Sequence, residues 1–195
     1  MLVNISLEEA QKQILLHCFP LGTEHISISA ALGRVSAVDV NAPGDLPGRE
    51  QSAVDGYALS SQADEYTVIG MVKPGEVPQT LLQPGQALGV TTGGNLPDGT
   101  IAVIPHEKTQ LNNNCLFPRE EVKSGNNIKQ AGEDFPCGSR LISSGTIIGA
   151  AEVSLLAAFG IVEVMVYRQP RAAVLCLSKN IVSWQSHPES GQMRD

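Results

Sequence analysis

Aromatic side chains and positive charge are both scarce in this 195-residue sequence. Phe, Trp and Tyr together make up 4% of the chain, and 13 Lys and Arg residues stand against 20 Asp and Glu, for a formal net charge of −7. A nucleic-acid-binding surface needs a basic patch for the phosphates, and a single-strand binder also needs rings on which bases stack. The composition therefore predicts no nucleic-acid partner.

Disulfide and zinc spacings are missing as well. The four cysteines lie far apart without a C-x-x-C pair, and the four histidines show no H-x-x-x-H or H-E-x-x-H spacing. The first absence disfavours a disulfide scaffold, and the second disfavours a dedicated zinc site. Since the N-terminus also lacks the pattern of a signal peptide, we expect reduced thiols and a cytoplasmic location.

A long apolar run occurs once, from Ile147 to Tyr167. Its length of about 20 residues matches a membrane span. Charged, small and polar residues interrupt it, and its two halves differ in periodicity, so we predict a soluble helix followed by a strand and no membrane partner.

What the sequence does contain is a globular composition, with 42% hydrophobic residues, punctuated by turns. Ser6 and Glu9 have the spacing of a capping box, which predicts a helix at the N-terminus. A second helical turn is expected at Ser29–Leu32. From about residue 42 to 138, short β-rich runs recur between Gly, Pro and Asn turns, a pattern typical of a small barrel or sandwich.

The last third changes character again. Gly149–Phe159 is rich in helix formers, Ile161–Tyr167 alternates as a strand does, and Ala172–Leu177 is typical of a buried strand. We therefore predict a β-rich α+β fold. It comprises an elongated discontinuous α/β portion (1–41 plus 139–177), an inserted β-barrel-like domain (42–138) and a poorly ordered polar tail (178–195).

Three loop clusters carry side chains suited to chemistry. The first, Gln51–Ala58, holds Asp55 near the hydroxyl of Ser52, an arrangement suited to polar recognition or metal coordination. A plain alternative is an Asp-Gly turn in which Gly56 supplies a positive φ on entering a strand.

The other two clusters have equally plain alternatives. Thr91–Pro97 contains a Gly-Gly pair whose amides can form a concave anion nest, or merely a turn between strands. Gly125–Asp134 ends in two carboxylates. Their oxygens suit Mg²⁺, but the segment can equally be a solvated turn.

Taken in order, these clusters resemble the MoeA family, the molybdopterin molybdenumtransferases that include the gephyrin E domain. Pro47–Ala58 reads P-G-R-E-Q-S-A-V-D-G-Y-A and is similar to the family's P-x-F-D-x-S-A-M-D-G-Y-A. Thr91–Gly99 is similar to M-T-G-A-x-x-P-x-G and is followed by the acid Glu107. Gly125–Asp134 is similar to G-x-N-[IV]-R-x-x-G-E-D. The resemblance extends from about Ser6 to Leu177.

The resemblance implies a function in molybdenum cofactor biosynthesis. Family members insert molybdenum from molybdate into adenylylated molybdopterin, with Mg²⁺ participating. The resemblance further implies that Asp55, Thr92 and Asp134 line the active cleft, with Asp55 and Asp134 toward the metal and Ser52 and Gly93 toward the substrate. It also implies a homodimer.

The sequence departs from the family pattern at several points. The family's F-D is Arg49-Glu50 here, its M is Val54, and the S-T-G-D-E expected after Leu175 is absent, as are the later pterin-binding motifs. Two hypotheses therefore stay open. The chain belongs to a molybdenumtransferase, either as a fragment or by pairing with a separate pterin-binding subunit, or it is a non-catalytic oligomerisation or binding module derived from that family.

Overall fold

The computed structural model describes residues 5–173 and 178–195, and strands dominate it. Across these described residues there are two α-helices and fourteen strands, several of them only two residues long. The helices are α1 (Leu7–Leu15) and α2 (Ala150–Ala158). The strands are β1 (Thr23–Ser27), β2 (Val40–Asn41), β3 (Gln51–Ser52), β4 (Gly56–Leu59), β5 (Tyr66–Met71), β6 (Gln86–Val90), β7 (Ala102–Pro105), β8 (Thr109–Asn112), β9 (Cys115–Pro118), β10 (Ile128–Lys129), β11 (Arg140–Ile142), β12 (Glu163–Tyr167), β13 (Ile181–Val182) and β14 (Met193–Arg194).

Six strands form the main sheet, in the order β7-β4-β6-β5-β9-β8. Neighbouring strands run antiparallel, except that β5 and β6 are parallel. The strands β7 and β8 end the sheet, which is therefore a curled half-barrel and not a closed one. At the tip of the β8–β9 hairpin Asn113 has a φ of 53°, a conformation that asparagine tolerates well.

Both faces of the sheet are buried along β4, β6 and β7. Side chains alternate along a strand, so Ala58 and Val103 belong to one apolar cluster, whereas the adjacent Leu59 and Ile104 belong to the cluster on the other face. A strand covered on both sides needs apolar residues throughout, which explains why β7 is buried along its whole length. Each large aliphatic side chain buried in this way contributes about 1.5–3 kcal/mol of transfer free energy.

A third cluster joins segments from both ends of the sequence. It contains the buried residues Ala31, Ile142, Ile148, Leu156, Val164 and Val166. Strand β1 pairs antiparallel with β12, and β2 pairs antiparallel with β11. The chain therefore leaves toward the main sheet and returns from it along two neighbouring strands.

Helix α1 begins as the capping box predicts but packs differently from most amphipathic helices. The Ser6 hydroxyl accepts a hydrogen bond from the Glu9 amide at 3.2 Å. No residue of α1 is buried, and Leu7 and Leu15 are 71% and 69% exposed. The apolar side of the helix is thus uncovered in this chain.

The β-rich α+β fold class is confirmed, and several predicted elements are found within one or two residues of their expected bounds. Strand β1 was not predicted, because its sequence T-E-H-I-S lacks a clear apolar alternation. The predicted strand Ala172–Leu177 falls mainly on residues 174–177, which lie outside the described residues. The domain boundaries and the poorly ordered tail stay predictions, although β13 and β14 pair within that tail.

The long apolar run is a helix followed by a strand, as predicted, since α2 and β12 occupy it. No helix among residues 5–173 and 178–195 has both the length and the apolar character needed to cross a membrane.

One glycine allows the last two strands at one end of the sheet to approach closely. Gly56 begins β4, and a Cβ built on it would lie 2.0 Å from the carbonyl oxygen of Ile104 on β7. Gly56 is not among the residues with a positive φ, so the turn interpretation of this glycine was wrong. Its role is to let two backbones approach closely.

We expect Gly56→Ala to destabilise the protein by about 1–3 kcal/mol or more, the usual cost of overpacking, because the new methyl group meets backbone that cannot move aside. Urea unfolding of both variants measures the effect. Gly44→Ala is the matched control, since a Cβ at Gly44 meets nothing within 4 Å. Equal stability of the two variants would contradict the close packing of β4 on β7.

Candidate functional site

The three sequence clusters meet at one place, where the short strand β3 lies between two loops. On one side Gln51 and Ser52 pair with Lys129 and Ile128 of β10. On the other side Gln51 forms a bridge with Asn95. We call residues 51–55, 91–95 and 127–129 the β3 junction.

Backbone hydrogen bonds hold the β3 junction together. The Ser52 amide donates to the Gly94 carbonyl at 2.9 Å, and the Gly93 amide donates back to the Ser52 carbonyl at 2.8 Å. The Ala53 amide donates to the Asn127 carbonyl at 2.9 Å. Segments about 40 and 75 residues apart in sequence are thus fixed to one another before any side chain is considered.

Asp55 and Thr92, two of the predicted site residues, are in direct contact. The Thr92 amide donates to Asp55 Oδ1 at 2.7 Å, and the Thr92 hydroxyl donates to the same oxygen at 2.9 Å. Both residues are exposed. The carboxylate is therefore oriented by two donors from one residue while it still faces solvent.

These contacts lower the pKa of Asp55 below its usual value. The hydrogen bond from the Thr92 amide is the largest cause, followed by the bond from the Thr92 hydroxyl, and the charge of His106 adds a smaller effect in the same direction. Hydrogen bonds to the ionised form stabilise it, whereas partial desolvation opposes the shift. Asp55 is accordingly held as an anion at neutral pH.

The glycine pair of the second cluster does not offer a free anion nest. Gly93 has a φ of 75°, as a nest requires, but its amide donates to Ser52. The Gly94 amide donates to the Thr91 carbonyl at 2.9 Å, and the Thr92 amide donates to Asp55. All three amides are used inside the β3 junction, so the glycines serve the turn.

Ser52 is buried, and its hydroxyl is part of the turn that leads to Asp55. It donates to the Val54 carbonyl at 2.5 Å and accepts from the Val54 amide at 3.3 Å. On the neighbouring loop Asn127 has a φ of 57°, and its side-chain amide donates to the Val103 carbonyl at 2.8 Å. These two side chains support the junction from within.

Asp134 lies next to the β3 junction through its own contacts. Its carboxylate forms an ion pair with Lys129 Nζ at 2.6 Å, and its amide donates to the Leu46 carbonyl at 3.0 Å. Lys129 belongs to β10, which pairs with β3. Asp134 is therefore tied to the junction by Lys129, and it makes no recorded contact with Asp55 within the described residues.

The predicted metal ligands do not form a metal-binding group. Among residues 5–173 and 178–195 no three His, Cys, Asp or Glu side chains come close enough together to hold a metal ion. Asp134 is neutralised by Lys129, and one oxygen of Asp55 is already hydrogen bonded twice. The residues that the structure describes therefore do not form a complete Mg²⁺ site by themselves.

His106 and Tyr57 are neighbours of Asp55 that the sequence analysis did not identify. The His106 amide donates to the Asp55 carbonyl at 3.2 Å. Its ring meets Tyr57 edge to face, with ring centroids 4.8 Å apart and an interplanar angle of 84°. The sequence contains little indication that His106 lies near Asp55, because only the pairing of β4 with β7 brings residue 106 to residue 55.

A model of a known protein family matches most of this chain. Residues 5–160 match the model described as the MoeA N-terminal region (domain I and II).

Curated relatives carry the name molybdopterin molybdenumtransferase. One from Nostoc sp. is 34% identical over 182 residues, covering 89% of this chain and 42% of the relative. One from Haemophilus influenzae is 32% identical over 197 residues, covering 98% of this chain and 49% of the relative. The chain thus spans about half the length of the curated relatives it matches.

Solved structures similar to this chain belong to proteins with a related name. Two crystal structures of a molybdopterin biosynthesis MoeA protein from Pyrococcus horikoshii superpose with TM-scores of 0.84 and 0.85, at 32% and 31% identity. They cover 98% and 94% of this chain, which in each case corresponds to 51% of the solved chain.

We expect Thr92→Val to raise the pKa of Asp55 partway toward its usual value, because the hydroxyl donor is lost while the residue 92 amide remains. Thr92→Ser keeps the hydroxyl and should leave that pKa unchanged. Carbon-detected NMR titration of the Asp55 carboxyl measures it. An unshifted pKa in Thr92→Val would contradict the contact.

The same contact predicts how stability depends on pH. The pKa of Asp55 is lower in the folded chain than in the unfolded one. The contact with Thr92 therefore stabilises the fold at a pH above the pKa that Asp55 has in the unfolded chain. That contribution to the free energy of unfolding is lost as the pH falls through the pKa that Asp55 has in the folded chain.

Proposed function

This chain belongs to the family of MoeA N-terminal regions, and from that premise we propose that it forms the domain I and II part of a molybdopterin molybdenumtransferase. That activity is named for its curated relatives, and the chain corresponds to about half of their length. In the reaction that we propose, molybdenum from molybdate enters adenylylated molybdopterin and the adenylate is hydrolysed. The pterin-binding part of the site would come from a second polypeptide or domain.

The observation that carries this proposal is the convergence at the β3 junction. Clusters that look like unrelated turns in sequence are joined there by main-chain hydrogen bonds, with Asp55 and Thr92 in contact. A merely structural turn does not require an exposed carboxylate bound by two donors of one residue. Preorganised polar groups of this kind are what a hydrolytic site needs.

Asp55 and Thr92 suit the hydrolytic step in complementary ways. Thr92 binds Oδ1 of Asp55, so within the described residues Oδ2 is left to accept a proton or a hydrogen bond from a water molecule. The lowered pKa keeps the carboxylate ionised, which favours positioning of water. The Thr92 hydroxyl oxygen can still accept a hydrogen bond from substrate.

The remaining predicted residues receive supporting roles in this proposal. Ser52 and Gly93 hold the turn, since the Ser52 hydroxyl and the Gly93 amide are both used within it. Asp134 and Lys129 act as an ion pair beside the β3 junction. Magnesium and a cytoplasmic location stay predictions of the sequence analysis, and we assign no step to Mg²⁺ because residues 5–173 and 178–195 do not by themselves form its site.

A non-catalytic role is the second candidate, favoured by the uncovered face of α1. Leu7, Ile14 and Leu15 are more than half exposed, as expected of a surface that another chain covers. We propose that a second copy of this chain covers it, which gives the homodimer expected for the family. Such a dimer is compatible with either candidate function.

Complementation tests the enzymatic proposal. Residues 1–195 are expressed in a bacterium that lacks its molybdenumtransferase, together with the half of the Nostoc relative that this chain does not cover, and nitrate reductase activity is assayed. We expect activity, and we expect Asp55→Asn to lower it by at least about 100-fold, the usual contribution of a proton-accepting group.

Asp64→Asn is the matched control, since Asp64 is an exposed aspartate in the loop before β5 and lies outside the β3 junction. It should leave activity unchanged. A soluble pair of polypeptides with no activity, or activity that Asp55→Asn does not reduce, would exclude the catalytic role and leave the binding module.

Analytical ultracentrifugation at micromolar concentration tests the homodimer. We expect the chain to sediment as a dimer and Leu15→Ser to shift it toward monomer, because that substitution places a polar group on the apolar face of α1. Glu9→Gln, a polar change on the opposite side of the same helix, should leave the dimer intact. A monomeric parent chain would contradict the proposal.

A further inference from the structure

Most hydrogen-bond donors of the β3 junction already donate to acceptors within the junction. The amides of Thr92, Gly93 and Gly94 donate within the junction, and the Thr92 hydroxyl donates to Asp55. Lys129, the cation of β10, is paired with Asp134. An anionic ligand that approaches Asp55 must therefore find its donor on another residue.

His106 is placed to be that donor. Its amide donates to the Asp55 carbonyl, which fixes the backbone of residue 106 beside that of residue 55. Within the described chain its ring nitrogens have no hydrogen-bond partner, and the residue is exposed. An imidazole carries at least one N–H in either tautomer.

The position of His106 follows from the packing of the main sheet. Gly56 pairs with Pro105 in the register of β4 on β7, and the absence of a side chain at Gly56 permits the close approach of these strands. Residue 106 follows directly and begins a short 3-10 turn. The contact with Tyr57, the next residue of β4, then limits the directions that the ring can take.

We propose that His106 is an oxyanion-binding residue of this site, donating a ring N–H to an anionic oxygen of the substrate, and that Tyr57 is its positioning residue. The inference rests on the proposed function and names a contact that the predicted site residues do not supply. Thr92 and Asp55 bind neutral or proton-bearing groups, and His106 provides the complementary donor.

The charges around His106 are compatible with this role. Asp55 and Glu107 are its acidic neighbours, and the next cation, Lys108, is paired with Glu120 at 2.8 Å. Because the immediate surroundings are acidic, an oxyanion is bound only where a directed donor compensates the repulsion. Loss of a hydrogen bond to a charged group lowers binding affinity by about ten-fold or more.

NMR titration of the full chain with sodium molybdate at constant ionic strength tests the inference. We expect saturable shifts of the His106 ring signals and of the Thr92 amide. His106→Gln should weaken the molybdate affinity read at the Thr92 amide by about ten-fold. Tyr57→Phe retains the ring and should leave the affinity unchanged, whereas Tyr57→Leu removes the edge contact and should lower it.

His25→Gln is the matched control, because His25 is an exposed histidine on β1. Shifts of the Thr92 amide that leave the His106 ring unaffected would overturn the inference, as would the absence of saturable shifts. It would also be overturned if Arg49→Gln, at an exposed donor just before the first cluster, reduced affinity while His106→Gln did not.

The complementation assay separates failure of this inference from failure of the proposed function. If activity depends on Asp55 but His106→Gln complements normally at limiting molybdate, the proposed function stands and the inference is wrong. If the parent chain binds molybdate through His106 but never complements, the oxyanion contact stands and the enzymatic proposal fails.

Discussion

The two-residue strand β3 is the constraint on which the site depends. It pairs with β10 on one side and with the loop around Asn95 on the other, and its hydrogen bonds join segments from three parts of the chain. Buried backbone groups must be paired, so these bonds set the relative positions of the loops. Asp55 and Thr92 meet because the main chain on either side of them is already fixed.

A junction built from main-chain bonds has a chemical consequence. The amides that a glycine turn would otherwise present to an anion are consumed in holding the loops, as Gly93 and Gly94 illustrate. In the site that we propose, recognition falls to exposed side chains at its rim, above all Asp55, Thr92 and His106. Replacing the exposed His106 ring would leave these main-chain bonds in place, whereas replacing Asp55 would also release the Thr92 amide.

The sequence was sufficient to identify the three loop clusters but not to predict how they assemble. The clusters around Asp55, Thr92 and Asp134 contain turn residues beside polar groups, and such patterns can be recognised locally. Strand β3 is too short to show any periodicity, so its partners could not be inferred. His106 follows an apolar run, and only the register of β4 on β7 shows that it reaches Asp55.

The way in which the pKa of Asp55 is lowered bears on what happens when the open site is covered. The shift arises from the two donors of Thr92 and not from burial, since the carboxylate faces solvent. A second surface placed over the β3 junction would remove water, which raises the pKa of a carboxyl group and strengthens its hydrogen bonds at the same time. The two hydrogen bonds from Thr92 stabilise the ionised form and therefore oppose that rise in the pKa. With less solvent to screen it, the charge of Asp55 would also act more strongly on neighbouring groups.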